Sequence, residues 1–150
     1  MSVCGSRPAS WLLPLTFINR LTSNLPVADD PQLYDVNLLD CPDGWFGGAW
    51  QVRTRSLGPP TIFSQAAELH LHPNPARLEL LDQARHQHSG HWAVERDPIL
   101  KRPYLTLEAA GEQTRALITR LRRSSQGQYA SLTLYLQSGT ELILDLLPTP

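Results

Sequence analysis

The stretch that decides the fold is Tyr129–Leu147, YASLTLYLQSGTELILDLL. Ala130, Leu132, Leu134 and Leu136 alternate with Tyr129, Ser131, Thr133 and Tyr135. Ser138-Gly139 then turns the chain, and Leu142, Leu144 and Leu146 alternate with Glu141, Ile143 and Asp145. Successive side chains of a strand point to opposite faces, so period-2 order on both sides of a glycine-containing turn predicts a β-hairpin. Its leucine face must be buried. Its Tyr, Thr, Ser and Asp face meets water or a ligand.

Working back from this hairpin, the same pattern recurs. Ala49–Ser56 alternates Trp50, Val52 and Thr54 with Gln51, Arg53 and Arg55, the two arginines expected outward, until Pro59-Pro60 stops it. Ala67–His72 and Arg77–Leu81 flank a Pro73-Asn74-Pro75 turn and read as a second hairpin. Ser89-Gly90 reads as a turn, followed by a strand over His91–Arg96 with Trp92 and Val94 inward. Tyr104–Glu108 is the next strand. Thr114–Arg123 fits either a strand or a helix; the turn-like Ser124-Ser125-Gln126-Gly127 after it favours a strand. The expectation is a mainly β domain, an antiparallel meander of seven or eight strands closing into a lipocalin-like barrel or a sandwich. Closure removes exposed edges. The Glu141–Leu147 strand is the candidate to pair with the Trp50 strand and close a barrel.

Residues 1–44 read differently. Prolines at 8, 14, 26, 31 and 42 interrupt them, and no period-2 pattern appears. They form an irregular or partly helical Pro-rich extension to a β domain over 45–150, with Leu33–Leu39 as one or two helical turns after Pro31. Trp11–Ile18 has the length of a signal-peptide core, yet Pro14 breaks it and the cleavage site after it is poor. It reads instead as a short helix or arm, in a cytoplasmic protein. Cys4 and Cys41 are too few for a disulfide framework and read as reduced thiols.

Composition narrows the functional classes. A net charge of -1 argues against nucleic-acid binding. No window approaches the roughly 20 apolar residues of a membrane-spanning helix. No Gly-x-Ser-x-Gly elbow and no phosphate-binding glycine loop is present, and the acids show no pairing across a cleft, so an enzyme is the less favoured class.

Gly48-Ala49-Trp50, opening the first strand, resembles the Gly-x-Trp triplet of the calycin superfamily, the lipocalins and their relatives. The Arg53 and Arg55 continuation is loosely similar to the S/U-type bilin lyases of cyanobacteria, which have a lipocalin-like fold. The resemblance implies a tryptophan packed across a closed barrel end, a glycine that lets the chain approach it, and a small apolar or tetrapyrrole-like ligand. The further lipocalin motifs are not found.

Three clusters remain. His70 and His72 are two apart and share a strand face, a genuine metal-ligand spacing, with His86, His88 and His91 in the polar stretch that follows. Leu69 and Leu71 claim the core, so the two histidines are expected to face solvent and no metal site is assigned. Arg115, Arg120, Arg122 and Arg123 can grip a carboxylate or phosphate, or lie solvated on a strand. Trp11, Phe17, Trp45 and Phe46 are candidate anchors for a partner.

The leading expectation is a non-enzymatic barrel that binds a small hydrophobic ligand through Trp50, Arg53, Trp92, Tyr129 and Tyr135, with no cofactor identified. The alternative is an accessory or assembly subunit docking on a larger protein complex, a photosynthetic one by the bilin-lyase similarity. It would use Trp11, Phe17, Trp45, Phe46, Arg120, Arg122 and Arg123. A third reading is a metal-dependent enzyme built on the His cluster.

Overall fold

A computed structural model describes residues 32–148, which lie within one compact unit, Gln32–Pro150. Its elements in chain order are β1 (Tyr34–Asp35), a 3-10 turn (Asp43–Phe46), β2 (Gly48–Arg55), β3 (Ala66–Pro73), β4 (Ala76–Asp82), β5 (Gln87–Arg96), β6 (Pro103–Ala109), β7 (Glu112–Arg123), β8 (Ala130–Leu136) and β9 (Glu141–Leu146). From β2 to β9 each strand pairs antiparallel with the next, and β9 returns to pair with β2, Trp50 opposite Leu146. The result is a closed eight-stranded meander barrel, compatible with a lipocalin-like one. Among the described residues no helix is long and apolar enough to cross a membrane.

The leucine faces line the bore. Leu78, Leu80, Leu105, Leu121, Leu132, Leu134, Leu142 and Leu144 are each 0% exposed. They belong to one apolar cluster with Trp50, Leu69, Leu71, Leu107 and Ile118. Eight strands enclose a space that side chains of this size just fill, so the interior is a packed core.

Both ends are stoppered by side chains. At one end the 3-10 turn pushes Phe46 fully into the core, and its carbonyl accepts the Trp50 indole N–H at 3.0 Å. Gly48 precedes this contact with φ +129°, and a Cβ there would meet Leu146 Cδ1 at 3.0 Å. Trp50 is thereby buried beneath the Phe46 turn, and Gly48 leaves room for Leu146 beside it. At the other end Phe63 is buried, and the Arg55 guanidinium donates to the Ser64 carbonyl at 2.6 Å.

Thr114–Arg123 is strand throughout β7, the favoured of its two readings, because it pairs with β6 on one side and β8 on the other. Other expectations change. Leu33–Leu39 is not helical. Tyr34 and Asp35 pair with Arg123 and Arg122 at the edge of β7, where Asp35 accepts two bonds from Arg120 at 2.7 and 3.2 Å. Arg55 does not point outward, since a register shift between Val52 and Thr54 inserts a residue and turns it toward the bore. Ser89-Gly90 is no turn; both residues lie inside β5, opposite Glu79 and Leu78.

Candidate functional site

With the bore filled, the outer wall is where chemistry can occur. Tyr104, Leu117 and Tyr135 form one row across β6, β7 and β8, Tyr104 opposite Leu117 and Leu117 opposite Tyr135. Period-2 order puts all three outward, and Tyr135 is 48% exposed. Arg115 lies over the Tyr104 ring with its guanidinium carbon 5.2 Å from the centroid. Together with Leu136 and Gln137 these residues line a groove of about 320 Å³. Tyr104 donates to Glu95 at 3.0 Å, and that hydrogen bond pushes its hydroxyl above the ordinary pKa of 10.0. The phenol therefore stays neutral. The groove offers apolar surface, a hydroxyl and one guanidinium.

Beside it a second groove of about 450 Å³ runs along β5, β6 and β7, lined by polar groups that include His91, Glu95, Thr106, Glu108, Gln113 and Arg115.

The residues expected to hold a ligand are not brought together. Trp50 lies under the stoppered end. Trp92 is buried, with its indole N–H donating to the His72 carbonyl at 2.8 Å. Arg53 points outward and pairs with Asp145 at 2.8 Å. Tyr129 precedes β8 and is exposed. Tyr135 lines the first groove and Trp92 the floor of the second, and sequence reasoning missed Tyr104 and Leu117 beside Tyr135.

The partner anchors separate likewise. Phe46 is core. Trp45 is partly exposed, with the Arg123 guanidinium carbon 3.7 Å from its ring centroid. Arg120 is engaged by Asp35, and the hydrogen bond from Arg120 holds the Asp35 carboxyl below its ordinary pKa. Arg122 opposes Asp35 on one side and Ser131 on the other. These arginines therefore make no single anion grip. Trp11, Phe17 and Cys4 lie outside the described residues.

The histidines divide into two groups. Asp82, at the end of β4, accepts from the His86 backbone N–H at 2.9 Å and lies 3.1 Å from His88 Nε2. The His86 bond first, then the His88 ring, hold the Asp82 carboxyl below its usual range. His70 and His72 lie toward the other end of β3, on the outer wall, facing Glu79 of β4. His86 and His88 do not join them.

No protein-family model, curated protein or solved structure matches this chain.

Proposed function

We propose that this barrel is a non-enzymatic binding module that works from its outer wall and docks on a protein partner. The observation that supports this reading is the exposed Tyr104–Leu117–Tyr135 row on a barrel whose bore is occupied by its own leucines. Tyrosine and arginine are the residues that anchor protein interfaces, because each gives large, rigid contact area and a polar tip. The expected partner element carries an apolar side chain for the groove and a carboxylate for Arg115. This is the accessory-subunit alternative, with its anchors moved from Phe46 and Arg120 to the wall.

The small-ligand reading, tetrapyrrole-like or otherwise, keeps one supporting observation. The same groove lies at the lower end of the size range of small-molecule sites.

The test is affinity capture from the source cell with the full chain and with a Leu117→Ser/Tyr135→Ser variant, followed by reconstitution from purified components. The expected result is a defined partner whose binding the variant weakens at least about tenfold, roughly 1.4 kcal/mol, at unchanged thermal stability. A partner bound equally well by the variant refutes the wall as the interface. Saturable binding of an apolar dye or tetrapyrrole that survives in the variant would favour a ligand site elsewhere.

A further inference from the structure

We propose that His70, His72 and Glu79 form a binding site for a divalent transition-metal ion of the zinc type on the outer wall of the barrel. Strand β3 sends Leu69 and Leu71 into the bore, so His70 and His72 point out of it. The turn after Pro73 folds β4 back so that Glu79 lies directly opposite His70. One nitrogen from each imidazole and one carboxylate oxygen of Glu79 then lie within 4.8 Å of one another. Among the described residues this is the one such group of three histidine, cysteine or acidic side chains.

One distance separates a metal site from an ordinary surface ion pair. His72 Nε2 lies 3.5 Å from Glu79 Oε1. That is too long for an N–H···O hydrogen bond, which falls at about 2.7–3.2 Å. The same nitrogen is shielded from water and has no hydrogen-bond partner. Leaving a shielded polar atom unpaired costs free energy. Two ligand atoms each about 2.0–2.1 Å from a tetrahedral ion are roughly 3.3 Å apart, so the His72–Glu79 pair already stands near the spacing of two ligands on one zinc-sized ion, and His70 need only close in from within 4.8 Å.

The surroundings suit the same role. Glu68 Oε1 lies 2.9 Å from His70 Nε2, the kind of carboxylate contact that orients ligand histidines. The Trp92 indole holds the His72 carbonyl, fixing the strand at the site. All three ligands hang from paired strands rather than loops, which preforms the site. Two imidazoles and a carboxylate suit zinc, nickel or copper rather than magnesium or calcium.

The experiment is calorimetric titration of the chelator-treated full chain with Zn²⁺, beside Mg²⁺ as control and Co²⁺ absorption as a probe of geometry. Saturable one-to-one Zn²⁺ binding is expected, with a tetrahedral Co²⁺ spectrum lacking a thiolate charge-transfer band. His72→Ala and Glu79→Gln should each weaken binding at least about tenfold, roughly 1.4 kcal/mol. The His86→Gln/His88→Gln variant should bind as the parent does. Absence of saturable binding overturns the assignment. So does undiminished binding in either single variant, loss of binding in the His86/His88 variant, or a thiolate band, which would place the ion on cysteine. Should His72→Ala fail to fold, Glu79→Gln keeps the side-chain shape and carries the same decision.

Discussion

Phe46→Ala tests the stoppered end most directly. The ring is fully buried beneath the Asp43–Phe46 turn, inside the cluster that includes Trp50 and Leu71. Truncation to alanine removes roughly 120 Å² of buried apolar surface, worth about 3 kcal/mol at about 25 cal/mol per Å². A cavity that does not collapse adds up to about 2 kcal/mol, so the expected loss is about 3–5 kcal/mol. Collapse is restrained here, because the Arg96 guanidinium ties the preceding segment down through the Leu38 carbonyl at 2.8 Å and the Cys41 carbonyl at 3.1 Å. The assay is urea unfolding followed by tryptophan fluorescence, since Trp50 hydrogen-bonds this residue's carbonyl. Tyr135→Ala, exposed on the wall, should shift the same transition by less than about 1 kcal/mol. If Phe46→Ala costs less than about 1.5 kcal/mol, Phe46 is not the stopper of a packed bore, and its reading as a partner anchor regains its place.

Three further outcomes follow from the same structure. Gly90→Ala should destabilise by more than about 3 kcal/mol, because its Cβ would fall on the Glu108 carbonyl, 2.7 Å from the carbonyl carbon and 2.9 Å from Ala109 Cα. Gly44→Ala, with nothing within 4 Å, should stay within about 0.5 kcal/mol; equal melting temperatures would sink the steric reading. Asp82 has its folded pKa below the ordinary 3.8, so its stabilisation is complete above that value and is lost as pH falls through the folded pKa. The parent's thermal midpoint should therefore drop more steeply than that of Asp82→Asn below about pH 4, and parallel slopes would refute this. Asp35 and Arg120 are both more than half exposed, so a double-mutant cycle should show only a weak coupling that shrinks with added salt, and a coupling insensitive to salt would refute this.

The barrel was legible because its last hairpin obeys a strict period of two: every leucine of Leu132–Leu136 and Leu142–Leu146 faces the bore as the alternation requires. The closing pair was legible for the same reason. What failed were features set by contact between distant strands. Gly90 reads as a turn residue locally, yet glycine is there because β6 passes too close for a Cβ. Arg55 reads as outward until a bulge shifts it by one. Phe46 reads as an exposed anchor because nothing local says that a single 3-10 turn folds over the barrel end. The surface sites lay between these cases. Pairing arithmetic around the Pro73–Ala76 turn sets Glu79 opposite His70, so the third ligand was available to anyone who followed the hairpin register. The Tyr104–Leu117–Tyr135 row needed the registers of two hairpins at once.

The seam between β2 and β9 also governs how the chain survives its own synthesis. β2 is the first barrel strand to emerge, and its partner is the last, so for most of translation one side of β2 is an unsatisfied row of backbone donors and acceptors. Such an edge recruits other chains. The bulge at Arg53 interrupts that row, and the arginine stands on it as a charged guard until Asp145 arrives to neutralise it. Long-range closure of this kind is slow, because loop entropy must be spent before the last pairing returns anything. A chain with the bulge deleted should therefore reveal its defect in the yield of soluble nascent protein before it does so in the stability of the finished barrel.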